Sequence, residues 1–138
     1  MRFKLVTFLY LYNSTGKKQH QMDIEQFRTY CLNKPYTTEE LPFDDVTLVF
    51  KIAGQKIFAI TPLDEANQCN LKCNPERALE LRAQYMGIQP GFHMNKKHWN
   101  TVHFNEDADD ALVEELIDHS YDLVYRGLPQ KIKKAYPI

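Results

Sequence analysis

From residue 22 onward the apolar positions fall first at helical and then at alternate spacing. Residues 23–33 predict a helix: Asp23 stands where a cap belongs, Gln26 follows three residues on, and Ile24, Phe27 and Cys31 line one face. Pro35 stops that helix, and residues 36–45 predict a polar, proline-containing connection. The period then changes to two. Residues 47–53 and 56–61, rich in Val, Ile, Phe and Thr, flank Gly54-Gln55 and predict a β-hairpin whose second strand Pro62 closes. Residues 69–73 predict a third strand, with Cys69, Leu71 and Cys73 on one face and Asn70 and Lys72 on the other.

Asn74-Pro75 opens a second helix, with Asn as cap and Pro in the first turn. Its pattern Ala78, Leu79, Arg82, Ala83, Met86 runs until Gly87. Residues 92–94 and 99–104 predict a second hairpin joined across Asn95, Lys96 and Lys97. A last helix begins near Asp107 and carries Leu112, Val113, Leu116, Ile117, Ser120, Val124 and Leu128 at helical spacing, and the basic tail 131–134 is expected to fray. The order α-β-β-β-α-β-β-α predicts a single α+β domain, an antiparallel sheet with helices packed on one face.

Composition narrows the class. The chain has 138 residues, 43% apolar and 25% charged, which suits one globular domain with an adequate core. A mean hydropathy of -0.51 excludes a multi-span membrane protein. Three cysteines, Cys31, Cys69 and Cys73, are an odd number without framework spacing, so a reducing, cytoplasmic setting is expected. Residues 1–21 hold an apolar run at 5–12 that is too short to span a bilayer, and they lack a small-x-small cleavage site. They read as an N-terminal extension upstream of a natural start at Met22, ahead of a domain at 22–138, and no membrane partner is expected.

The net charge of -1 hides an asymmetry. Setting aside Arg2, Lys4, Lys17 and Lys18 of the extension leaves 13 basic and 18 acidic side chains, a body of net -5. Eight acidic residues and no basic one lie between Glu106 and Asp122, which reads as a solvated helix face. Any nucleic-acid contact must therefore come from a local patch.

Catalytic constellations are missing: GxSxG, Walker A, GxGxxG and HExxH do not occur, and neither catalytic residues nor cofactors are expected. Cys69 and Cys73 in CNLKC read as small buried apolar side chains. His93, His98 and His103 recur every five residues, but an odd step along a strand alternates faces, so no metal site is expected. The hairpin tips say more. Lys96, Lys97 and His98 gather beside Trp99, the one tryptophan, and Lys51 and Lys56 bracket the turn at 53–55. Lysines at a turn keep their hydration until they meet phosphate, where they release counterions, and a nearby ring can stack or wedge. Lysines at turns also protect edges and aid solubility.

IEQFRTYC, ELPF with DDVTLVFKIAGQKIFAI, LKCNPERALELRAQY, GIQPGFHMNKKHWNTV and LIDHSYDLVYRGLPQKIKK occur in that order. Together they resemble the MmcQ/YjbR-like family of small bacterial proteins, with PGFHMNKKHW and SYDLV the most specific blocks. The resemblance implies an α+β fold similar to the CyaY and secretion-chaperone-like group. It also implies a non-catalytic DNA-binding role of low sequence specificity, in which two β-hairpins act as a double wing. Carried onto this chain, the wings are the turn from Lys51 to Lys56 and the turn from Asn95 to Trp99, with Lys51, Lys56, Lys96, Lys97, His98 and Trp99 as the DNA-contacting residues. The alternative is a protein-interaction or chaperone-like module that docks a protein partner on the sheet or the acidic helix; an enzyme stands third.

Overall fold

The computed structural model describes residues 22–65 and 67–138, so the expected extension at 1–21 lies outside the described residues. Helix α1 (Ile24–Leu32) starts where the Asp23 carboxylate accepts the Gln26 N–H at 2.8 Å, and it buries Phe27 and Cys31. Four strands follow: β1 (Thr37–Glu40), β2 (Thr47–Ile52), β3 (Lys56–Pro62) and β4 (Gln68–Lys72). Helix α2 (Pro75–Gln84) is capped by Asn74, whose side chain accepts from the Glu76 and Arg77 N–H groups. Then come β5 (Ile88–Pro90), β6 (Trp99–His103), helix α3 (Asp110–Arg126) and the short helix α4 (Gln130–Ala135).

The strands form one antiparallel sheet in the order β1-β2-β3-β4-β6-β5. The α+β class and the antiparallel sheet are as the sequence predicts. Two elements were not foreseen. Strand β1 arises in the stretch expected to be a plain connection, because its TTEE backbone completes the exposed edge of β2 although its side chains show no apolar alternation. The tail expected to fray instead forms α4, and Tyr36 Oη donates to the Pro137 carbonyl at 2.6 Å, fastening the C-terminus.

Two boundaries also move. The first strand of the second hairpin is 88–90, not 92–94. His93 sits at φ 59°, a left-handed conformation that cannot continue a strand, so residues 91–98 form a long loop instead of a three-residue turn. Helix α3 begins after Asp109, whose side chain accepts the Leu112 N–H. Asp107, expected near the helix start, lies outside it and accepts the N–H groups of Met86 and Gly87 at 2.6 and 2.8 Å.

Helices α1 and α3 lie on one face of the sheet. Phe27 meets Phe50 edge-on at 5.8 Å and Phe104 at 5.5 Å, Tyr121 of α3 meets Phe58 edge-on at 5.2 Å, and Val113 and Ile117 of α3 share one buried cluster with Ala59 and Leu71. Both Phe58 and Ala59 reach this core because the β2–β3 register shifts between Phe50 and Lys51, leaving Phe58 as an extra residue. Nonpolar burial on this scale, at roughly 25 cal/mol per Å², is the main force holding the layers together. Cys69 and Leu71 alternate toward the core as predicted, and Asn70, on the other face as expected, is buried beside Thr101. Among the described residues no helix is long and apolar enough to cross a membrane.

Candidate nucleic-acid interface

Strand direction sorts the connections into two sets. Thr37, Ile52 and Lys56 meet at one end of the sheet, where Lys72, Trp99 and Pro90 also lie. The connections at that end are 33–36, 53–55, 73–74, 91–98 and the segment from 127. They contain Lys34, Lys96, Lys97, Lys131, Lys133 and Lys134, and no carboxylate side chain. Lys56 and Lys72 add two more ammonium groups at the strand ends. The connections at the other end are 41–46, 63–67, 85–87 and 104–109. They contain Asp44, Asp45, Asp64, Glu65, Glu106, Asp107 and Asp109, and no lysine or arginine. The charge of the connections is thus polarised, with both predicted wings at the basic end.

The individual lysines differ in what holds them. Lys51 stands one residue inside the end of β2, on the face opposite α1 and α3, and its Nζ lies 3.1 Å from Glu40 Oε1. Its charge is therefore spent within the sheet. Lys56 begins β3 at the surface, with Nζ 3.5 Å from the Gly127 carbonyl that follows α3. That places it at the negative pole of the helix dipole. Lys34 pairs with Asp118, which also accepts from Tyr30 Oη at 2.9 Å, so its charge, like that of Lys51, is met within the fold.

Loop 91–98 is built as a unit. Lys96 Nζ donates to the Gly91 carbonyl at 2.8 Å, the Gly91 N–H donates to the Trp99 carbonyl, and the Phe92 N–H donates to Thr101 Oγ1 at 2.8 Å. Gly91 admits no side chain, since an added Cβ would stand 2.8 Å from Trp99 Cβ. From α2, Arg82 Nε donates to Asn100 Oδ1 at 2.7 Å, and its Nη2 reaches the carbonyls of Lys96 and Trp99. Lys97 is exposed and has no side-chain partner among the described residues. His98 is half-buried, and its carbonyl accepts the Cys73 N–H; Trp99, also half-buried, lies across from Lys72.

The β2–β3 turn is tighter. Ala53 at φ 51° and Gly54 at φ 67° are its two central residues, and the Gln55 N–H closes back to Ile52 at 2.8 Å. Sequence reasoning found both tips but passed over Lys72 and the tail lysines. Lys72 reads as an ordinary outward strand position, and the tail reads as frayed. Following each antiparallel traverse of the chain from end to end is the signal that would have collected them.

Titratable groups elsewhere are committed to the fold. Burial pushes all three thiols up, Cys73 to about 11, so Cys31, Cys69 and Cys73 remain protonated at neutral pH. Burial likewise raises Tyr30 and Tyr121 to about 12, and the Tyr121 hydroxyl donates to the Pro35 carbonyl. Four residues of extended strand, about 13 Å, separate Trp99 from His103, so His103 stands at the end of the sheet opposite His93 and His98. No group of three His, Cys, Asp or Glu among the described residues is placed to hold a metal ion.

An antiparallel sheet backed by helices, with charge segregated between the connections at its two ends, defines a small α+β protein. The family model described as YjbR matches residues 32–123, and the chain belongs to the YjbR family. It is 36% identical over 110 residues to the uncharacterised protein YbdF of Escherichia coli O157:H7, covering 80% of this chain and 90% of that one. Against the uncharacterised protein YjbR of E. coli K12 it is 28% identical over 113 residues, covering 82% and 96%. The crystal structure of Deinococcus radiodurans protein DR2400, a DUF419 domain, superposes with a TM-score of 0.75 at 35% identity, over 83% of this chain and 88% of that one. A Pseudomonas syringae protein superposes at 0.64 with 29% identity, over 74% and 98%.

Proposed function

We propose that the protein binds DNA without catalysing a reaction, taking phosphates on the basic end of its sheet. The observation that carries this reading is the segregation of charge: six lysines, of which Lys34 is paired with Asp118, and no side-chain carboxylate in the connections at one end, seven carboxylates and no lysine or arginine at the other. The gap between the β2–β3 turn and loop 91–98 supports it. They lie three strand spacings apart, about 14 Å, comparable with the width of a major groove, about 12 Å. Lys56, Lys72, Lys96 and Lys97 are the contacts we assign, with the α4 lysines flanking them. His98 and Trp99 support the loop, and Lys51 is left out because Glu40 neutralises it.

Phosphate contacts carry no base information, so low sequence specificity follows. A salt titration of duplex binding tests the reading. With three to five phosphates engaged, log K against log salt should slope by about -3 to -4.5. Salt-independent binding, or none at low salt, overturns it.

A second reading, a protein-docking module, is favoured by the acidic end. Leu41, Phe43 and Leu63 are exposed there, and the Leu63 N–H donates to the Val46 carbonyl, which joins the two loops that carry them. A partner that binds this end should be insensitive to charge reversal at Lys97.

A further inference from the structure

We infer that the basic end takes an unpaired base as well as phosphates, with Phe92 as the stacking platform; this rests on the DNA-binding reading above. Val102 and Phe104 belong to the core, so the alternate residues Trp99, Thr101 and His103 face the side of the sheet opposite α1 and α3. Lys72 pairs with Trp99 in register and shares that side. Thr101 and Asn70, both buried there, bond each other, and Thr101 Oγ1 also accepts the Phe92 N–H. Loop 91–98 is therefore laid against the sheet face opposite α1 and α3 instead of projecting as a loose wing.

The Phe92 backbone is held while its ring is not covered. Gly91 is packed against Trp99, and Arg82 ties down the far side of the loop, yet Phe92 is 59% exposed. Phe27, Phe50 and Phe58 are fully buried by comparison. The His93 ring meets that of Phe92 edge-on at 5.0 Å, a contact between two side chains that both stand at the surface. A large ring on a fixed backbone, with Lys72, Lys96 and Lys97 on neighbouring positions and no carboxylate in 72–74 or 91–98, has the two parts that a single-strand site needs. Ammonium groups take the phosphates, and an aromatic face takes a base of any sequence. Paired bases offer no free face to such a ring, so lysines alone would serve an intact duplex.

The test uses the full chain and two labelled DNAs, a blunt duplex and the same duplex with an unpaired thymine bulge, read by fluorescence anisotropy. The bulged DNA should bind about five- to 100-fold more tightly. Phe92→Ala should bring the two affinities together, and Phe92→Trp should restore the difference. Equal affinities with the native chain, or a preference that survives Phe92→Ala, overturn the inference while leaving phosphate binding intact. Absence of salt-dependent binding to either DNA overturns both.

Discussion

The hydroxyl of Ser120, in the middle of α3, donates to the carbonyl of Phe58 at 2.6 Å and accepts the N–H of Lys72 at 2.9 Å. Strands β3 and β4 pair directly at only Ala59–Leu71 and Ile60–Asn70. Beyond them the extra residue Phe58 interrupts the ladder, and a helix side chain supplies the bridge that the backbones do not make. Ser120 is 0% exposed, so water cannot replace it.

Ser120→Ala should leave a buried N–H and a buried carbonyl without partners and cost about 1–3 kcal/mol. Denaturant unfolding should show a lower midpoint with an unchanged m-value. Because Lys72 is one of the strands' basic positions, the variant should also weaken DNA binding, measured at a temperature where it remains folded.

Arg82 should matter to binding without touching DNA. Its guanidinium joins α2 to Asn100, Lys96 and Trp99. Arg82→Ala should raise amide exchange across 95–99 and reduce DNA affinity while leaving the salt slope near its native value. Arg82→Lys should not rescue it, since an ammonium lacks the planar fork that spans three acceptors.

His119 gives the fold a pH dependence. Its Nε2 accepts the Asn74 N–H at 3.1 Å, and burial, followed by Arg77, holds its pKa below the ordinary value of 6.5; Glu115 and Asp122 pull the other way, with Arg126 adding to the lowering. The folded state thus prefers the neutral ring. The unfolded chain binds more protons in the window just below 6.5, so this contribution is complete above that value and is lost as pH falls through the folded pKa. Thermal melts between pH 7.5 and pH 5 should show a decline, and His119→Gln should flatten it. An unchanged decline in that variant would place its cause elsewhere.

Charge reversal separates the two ends. Lys97→Glu should weaken duplex binding and reduce the steepness of the salt dependence by about 1. Asp64→Asn at the acidic end should leave the slope unchanged. Equal effects from both substitutions would mean that net charge, not the basic end, governs binding.

Much of the fold was legible in the sequence because it depends on local chemistry. Asp23 and Asn74 cap the helices they were expected to cap, and the period-two runs on either side of residue 54 form β2 and β3. The aliphatic spacing from Leu112 to Val124 forms α3. Each signal lies within a few residues of the structure it specifies. The short strands β1 and β5 were not legible, because four residues of TTEE and three of IQP carry no pattern of their own and exist only by pairing with β2 and β6. Nor was the loop 91–98, whose shape depends on Arg82 from α2 and Thr101 from β6.

The candidate site divides the same way. The sequence by itself determined that Lys96 and Lys97 lie in a connection between strands, and that the body carries five more negative than positive side chains. Only the tertiary structure decided that Lys51 is neutralised by Glu40 and that Lys56, Lys72 and the α4 lysines share one end of the sheet. It also decided that the acidic connections lie at the other. Composition counts charges without directions. The field a partner meets depends on where each traverse of the chain ends, and that is settled by the order in which antiparallel strands pair.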